Sequence, residues 1–272
     1  MKPSTFEYGC PPTLDDAIGL LGKNSDSALI AGGQSLVPLL NLRLAPFDYI
    51  VDIGRIAELR ETRDLGDRVF VGAGLTHAMF EDGIAPDPGN GLMRKAAGNI
   101  AYRAVRCHGT IGGSVAMADP AADWPAVLLA LGALAICRGP QGERRVAMDE
   151  LLVGTYETSL RPGEIIAGFE IFKLPASART SYVKFNKKVG AFATSLAVVV
   201  HDVANVTTRV VIAGAGPRAS LLHATAAALA TGAGTDACIA RELDALMPEP
   251  DAYSCHLHQT TLGRAIGEVS GA

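Results

Sequence analysis

No two cysteines in this chain are spaced as CxxC, and no segment gathers the Cys and His ligands of a zinc site or an iron–sulfur cluster. The five cysteines, Cys10, Cys107, Cys137, Cys238 and Cys255, are odd in number and far apart, which reads as free or buried thiols. Positive charge is not in excess either. The chain carries 24 Lys and Arg against 28 Asp and Glu, a net charge of −4, and the cations are scattered. That balance excludes the basic footprint needed to grip a phosphate backbone, and with it a nucleic-acid partner. The longest uncharged apolar stretch, Trp124 to Cys137, is interrupted by Pro125 and Gly132. It falls short of the roughly 20 residues that span a bilayer and reads as a buried helix running into a strand. The opening MKPSTFEYGCPPT lacks the apolar centre of a secretory signal, so a cytoplasmic location is expected. Two familiar phosphate-binding patterns are missing as well. GAGLTHAMF from Gly72 and GAGPRAS from Gly214 both lack the third glycine of the dinucleotide fingerprint, and no GxxxxGK[ST] occurs.

What remains is a globular chain of 272 residues, 49% hydrophobic and 19% charged, with 30 glycines. It is long enough for one large domain or two ordinary ones. Thr13 followed by LDDAIGLLG predicts a capped helix ending near Gly22. SALIAGG predicts a short strand, SLVPLLNL a helical turn opened by Ser35, and DYIVDI and RVFVGAG two further strands. In the middle of the chain, Gly109 to Gly113 punctuate two helix-like segments, ADWPAVLLALGA places a proline near a helix start, and LAICRGPQGERRVAM predicts a hairpin across GPQG. EIIAGFEIF adds a strand. After KLPASART come three strands in succession (SYVKFNKK, TSLAVVVHDV, TTRVVIAGAG) and then three helices, an α+β pattern of segregated elements. A domain boundary is expected near Pro175.

Two clusters join glycines to a hydroxyl at an expected helix start: AGGQS, Ala31 to Ser35, and TIGGS, Thr110 to Ser114. Each is either an ordinary tight turn or a stretch of bare backbone whose N–H groups meet a phosphate. The residue types alone leave both readings open.

With its surroundings, AGGQSLVPLLNLRLAPFDYIVDI and TIGGSVAMADPAADWPAVLLALGA, this pair resembles the FAD-binding medium subunit of the molybdenum hydroxylases, the group of xanthine dehydrogenase, carbon monoxide dehydrogenase and N-heterocycle dehydrogenases. The likeness continues in order through RPGEIIAGFEI, YVKFNKKVGAFATSLAVVV and RVVIAGAGPR, over nearly the whole chain. It implies an α+β protein with a two-lobed FAD-binding domain of the vanillyl-alcohol-oxidase (PCMH) type over 1–175, the lobes falling at about 1–55 and 56–175. A smaller domain of the CO dehydrogenase type, with a three-stranded antiparallel sheet and a helical bundle, is implied over 176–272. By the same resemblance, Ala31, Gly32, Gly33, Gln34 and Ser35 hold the pyrophosphate of a non-covalent FAD, Leu36 next to them also belongs to the cofactor site, and Thr110, Ile111, Gly112, Gly113 and Ser114 line it from the other lobe. Asp123 accepts from the ribityl hydroxyls, and Ile166 and Lys184 lie near the flavin ring. Read without the resemblance, Asp123 is an acid in the first turn of a helix and Lys184 an exposed strand lysine.

The resemblance also implies partners. A large subunit holds molybdopterin and hydroxylates the substrate, and a small subunit carries 2Fe–2S clusters. This chain relays the electrons to an external acceptor (quinone, oxygen, carrier protein or NAD) within a heterotrimer, expected doubled. One departure is GAF where the family often has GD followed by tyrosine, which leaves Phe192 able to stack on a flavin but not to donate to it. Two rivals stand beside this reading. One is a stand-alone FAD oxidoreductase whose substrate base is His77 or His108, neither with an evident partner in the sequence; the other is a flavin-less scaffold. The C-terminal SCHLHQ, with Cys255, His256 and His258, has no common metal spacing and is expected on a helix surface.

Overall fold

The computed structural model describes residues 2–23, 26–204, 207–247, 249 and 251–271. The chain opens with a small parallel sheet of order β1-β3-β2, built from β1 (Glu7–Gly9), β2 (Ser27–Ile30) and β3 (Tyr49–Asp52). Parallel neighbours need crossovers. These are α1 (Leu14–Lys23) and α2 (Leu36–Asn41), the second entered through the AGGQS segment. Thr13 caps α1 as expected, its Oγ1 accepting from the Asp16 N–H at 3.2 Å. Ser35 sits at the N-cap of α2, but its side chain makes no cap hydrogen bond.

A five-stranded antiparallel sheet follows, of order β4-β5-β10-β6-β7. Its strands are β4 (Thr62–Asp64), β5 (Arg68–Gly72), β6 (Leu134–Gly139), β7 (Gly142–Ala147) and β10 (Ile165–Phe172). The β6–β7 hairpin turns at GPQG as expected. Between β5 and β6 the chain makes five helices: α3 (His77–Glu81), α4 (Leu92–Gly98), α5 (Arg103–Arg106), α6 (Ile111–Met117) and α7 (Asp123–Leu131). A short helix, α8 (Met148–Leu151), leads to the small hairpin of β8 (Leu152–Gly154) and β9 (Glu157–Thr158). The expectation of two helical segments parted by a glycine loop is corrected here. The first segment breaks after Gly98 into two helices, and Gly112 and Gly113 lie inside the first turn of α6.

The last sheet contains β11 (Arg179–Phe185), β12 (Ser195–Asp202), β13 (Thr207–Ala213) and β14 (Ser220–Leu221), all antiparallel. The sequence pattern leads to three of these strands. The fourth is only two residues long, pairing Leu221 with Val211, and its apolar SLL reads equally well as the start of the following helix. That helix, α9 (His223–Ala230), is followed by α10 (Asp236–Leu246) and α11 (Ala252–Ser270). β12 is buried along its whole length, and the pleat sorts its side chains. Leu196, Val198 and Val200 join the main core, whereas Ala197 and Val199 join a second core beneath α9, α10 and α11. Buried at all nine positions, α7 packs into the main core, which also takes in Tyr182 and Leu196 from beyond Pro175.

Two nearly buried carboxylates clamp the five-stranded sheet. Glu164 accepts from Arg144 Nε at 2.7 Å and Nη2 at 2.8 Å, and from the Arg161 N–H at 2.7 Å. Glu170 bridges Arg68 at 3.0 Å and Arg145 at 2.9 Å. The Arg144 guanidinium holds the Glu164 carboxyl below the ordinary glutamate value of 4.5. Burial opposes ionisation of Glu170, but Arg145 and Arg68 outweigh it and hold this carboxyl low as well. A carboxyl depressed by folding contributes stability above its unfolded pKa and loses it as pH falls through the folded one. The thermal midpoint should therefore be nearly level from about pH 7 to 5 and drop below about pH 4.5. Glu164→Gln should melt lower at neutral pH and show a shallower acid drop; identical acid profiles for the two proteins would refute the clamp's role.

Candidate functional site

A cavity of about 930 Å³ opens between the AGGQS segment and the α5–α6 region, at the large end of the roughly 300–1,000 Å³ usual for small-molecule sites. Its wall includes Ala31, Gly32, Gly33, Gln34, Ser35, Leu36, Thr110, Gly112, Gly113, Ser114, Asp123, Ile166, Lys184 and Phe192. One residue anticipated from the resemblance is not among them. Ile111 is fully buried in the main core, and its N–H is taken by the Leu75 carbonyl at 3.0 Å.

The two glycine clusters meet but do different work. In the first, the main-chain N–H groups of Gly32, Gly33, Gln34, Ser35 and Leu36 find no acceptor among the described residues. Gly33 sits at φ +70°, a backbone conformation that strains any residue with a Cβ. The turn after β3 backs this segment: Asp52 Oδ1 accepts from the Gly54 N–H at 2.8 Å, and Gly54 lies against the Ala31 carbonyl.

In the second cluster the amides are taken up inside the protein, which corrects the expectation of a bare loop there. Thr110 caps α6 by accepting the Gly113 N–H at 3.1 Å, Ser114 N–H bonds the Thr110 carbonyl at 3.0 Å, and Gly112 N–H bonds the Ala73 carbonyl at 2.9 Å. These glycines serve close packing. A Cβ on Gly112 would lie 2.4 Å from that of Ala73, and one on Gly32 would lie 2.0 Å from the His108 carbonyl oxygen. Gly32 therefore seats the first segment directly on the backbone that leads into the second.

Deeper in the cavity, Asp123 begins α7 and is almost wholly buried. Tyr182 donates its hydroxyl to Asp123 Oδ1, and Lys184 Nζ lies 3.0 Å from the same carboxylate and 3.2 Å from the Asn99 carbonyl. Burial pushes the Asp123 carboxyl up, against the pull of Lys184 and Tyr182. Burial and the neighbouring carboxylate push the Tyr182 phenol up. Lys184 is no exposed strand lysine, its side chain being 5% accessible. Tyr182 escapes sequence reasoning, although its spacing of two from Lys184 on β11 is the signal that the two share a face.

Phe192 stands on the rim, exposed, in the turn joining β11 to β12, and Ile166 lies at a bulge in β10. His77 and His108 both line the cavity. His77 does have a partner, in contrast to the expectation from the sequence, because Trp124 Nε1 donates to its Nδ1 at 2.9 Å. Burial pushes the imidazole pKa down to about 4. Among the C-terminal histidines, His258 proves to be a core residue bonded to Ser195 at 2.8 Å, not a surface one. No three His, Cys, Asp or Glu side chains among the described residues are grouped to hold a metal, and no helix there is long and apolar enough to cross a membrane.

Comparison with known proteins accords with this geometry. The sequence profile of the FAD binding domain in molybdopterin dehydrogenase matches residues 4–174. The alpha subunit of the 6-hydroxypseudooxynicotine dehydrogenase complex of Paenarthrobacter nicotinovorans is 38% identical over 71% of this chain and 66% of its own length. The carbon monoxide dehydrogenase medium chain of Hydrogenophaga pseudoflava is 36% identical over 78% of this chain and 75% of its own. A solved structure of carbon monoxide dehydrogenase from that organism, lacking the Mo-pyranopterin moiety of the molybdenum cofactor, superposes with a TM-score of 0.91 at 32% identity, covering 100% of this chain and 99% of the other. This chain belongs to the family of FAD-binding medium subunits of the molybdopterin dehydrogenases.

Proposed function

We propose that this chain is the FAD-carrying electron-transfer subunit of a molybdenum hydroxylase, with the cavity as the flavin site. The observation that carries this reading is the row of five main-chain N–H groups from Gly32 to Leu36 that find no acceptor among the described residues, on a wall shared with Asp123 and Lys184. Such a row suits the oxygens of a pyrophosphate without any charged side chain. Thr110, Gly113 and Ser114 face the same space, Asp123 keeps acceptor capacity for hydroxyl groups, and Ile166, Lys184 and Phe192 surround the place for a ring. Bound FAD would supply reversible uptake and release of electrons.

The chain's own residues bind and orient the cofactor. Asp123 and Lys184 form a nearly neutral pair at the inner wall, and Phe192 offers an aromatic face at the rim without a hydroxyl. Substrate hydroxylation belongs to a large molybdopterin subunit, and electrons arrive through the 2Fe–2S clusters of a small one and leave to an external acceptor. The assembly is a heterotrimer, doubled, in the cytoplasm. The chain divides at about residue 175 into the FAD-binding part and a C-terminal part that shares its core. The stand-alone oxidoreductase gains no support from His77, whose Nδ1 is occupied by Trp124.

The test is direct. Protein isolated from its source, with whatever chains accompany it, should absorb at about 450 nm and release one FAD per copy of this chain on heating. Two further chains, one molybdopterin-containing and one iron–sulfur, should co-purify. Folded protein without flavin would overturn the flavin site, and flavoprotein that is active and free of partners would overturn the relay.

A further inference from the structure

His77 presents a feature that the FAD reading leaves unused. The residue is 5% exposed, and its Nδ1 accepts the Trp124 indole N–H at 2.9 Å. The ring must therefore carry its proton on Nε2. That N–H donates to no acceptor among the described residues. Among the described residues Nε2 is not one of the side-chain atoms sealed away without a partner, so it is open to the cavity that His77 lines, and the structure holds the ring firmly in place. The His77 N–H bonds the Gly109 carbonyl at 3.0 Å, and Thr76 bridges Thr110 across the same junction. Gly109 is bare where the ring approaches, since a Cβ there would stand 2.6 Å from His77 Nε2. Gly32 packs on the same stretch of backbone, a Cβ there falling 2.0 Å from the His108 carbonyl oxygen and 2.9 Å from the Gly109 Cα. The unpaired imidazole N–H thus sits beside the seam of the two glycine clusters, on the wall of the cavity.

The geometry points to His77 as a positioning residue that donates Nε2–H to a phosphate oxygen of the bound dinucleotide, with Trp124 fixing the tautomer that makes this possible. This rests on the FAD reading above. The five amides of Gly32 to Leu36 supply donors to this cavity, and His77 adds a neutral donor on the same wall. Neutrality matters here. An imidazolium would set an N–H against the Trp124 N–H, so the ring remains a single-proton donor even next to an anion.

The experiment compares wild-type protein, isolated with its accompanying chains, with His77→Gln and His77→Asn. A glutamine amide reaches the place of Nε2, while the shorter asparagine reaches only that of Nδ1. Retention of FAD through gel filtration and the phosphorus NMR resonances of the bound pyrophosphate are read together. FAD should dissociate from His77→Asn at least about tenfold faster than from wild type, with His77→Gln recovering most of the difference. The phosphorus resonances should shift in both variants while the flavin absorbance stays put. Unmoved phosphorus resonances, or equal retention in all three proteins, would overturn the role of His77. Wild-type protein without FAD would instead overturn the parent reading.

Discussion

Gly32→Ala should unseat the cavity, because one added methyl group meets main chain on every near side. Its Cβ would lie 2.0 Å from the His108 oxygen, 2.6 Å from the His108 carbonyl carbon and 2.9 Å from the Gly109 Cα. None of these atoms can swing aside as a flexible side chain would. The opposing segment is held by the bond from Gly109 N–H to the Val105 carbonyl at 2.8 Å, by the bond from Ile111 N–H to Leu75, and by the Thr76–Thr110 bridge. Overpacking a yielding core costs about 1–3 kcal/mol, and a backbone contact belongs at or above the top of that range. At roughly 2–4 °C per kcal/mol for a chain of this size, the thermal midpoint should fall by about 6–12 °C. Flavin should be lost with it, since the amides of Gly32 to Leu36 would be displaced from the facing wall. Gly19 supplies the contrast. It is exposed in α1, with nothing within 4 Å of the place a Cβ would take, and Gly19→Ala should raise stability by about 0.5–1 kcal/mol. Gly32→Ala that melts like wild type and keeps its flavin would mean that the two segments do not depend on this contact.

That contrast also shows how far a sequence can be read. The two glycine clusters stand out as patterns, and the structure does bring them together. Their division of labour is invisible in the residues, because it depends on where each N–H finds an acceptor. TIGGS looks like a second phosphate cradle until Ala73 and Leu75, on the loop after β5, take the amides of Gly112 and Ile111. The amides of Gly32 to Leu36 stay without an acceptor among the described residues, while the turn after β3 backs the segment through Asp52 and Gly54. Long strands such as β12 and β13 are legible from their unbroken β-branched runs, whereas β1, β4 and β14 have two or three residues each and exist only through the strands they pair with. His77 and Trp124 lie 47 positions apart, and Asp123 and Lys184 61 apart. Neither pairing has a local signal.

Removing the cation of that last pair should have the second large effect. With Asp123 and Lys184 only 4% and 5% accessible at the side chain, each compensates a charge that water cannot reach. Lys184→Met preserves length and apolar stem but leaves Asp123 with Tyr182 as its remaining side-chain donor. Breaking one side of a buried pair costs about 3–5 kcal/mol. The carboxyl can limit the loss by taking up a proton, since burial already pushes its pKa up and the counter-charge would be gone. This fixes the sign of the pH dependence. A carboxyl raised by folding is penalised progressively as pH climbs from its unfolded value of 3.8 toward its folded one. The deficit of Lys184→Met against wild type should therefore be smallest near about pH 4 and widen toward neutrality, where the midpoint should lie at least about 6 °C lower. Adding Asp123→Leu to Lys184→Met should restore much of the stability at pH 7, because it removes the stranded charge, yet it should not restore flavin. A deficit independent of pH, or a double variant no more stable than Lys184→Met, would show that the pair is not held as a buried ion pair.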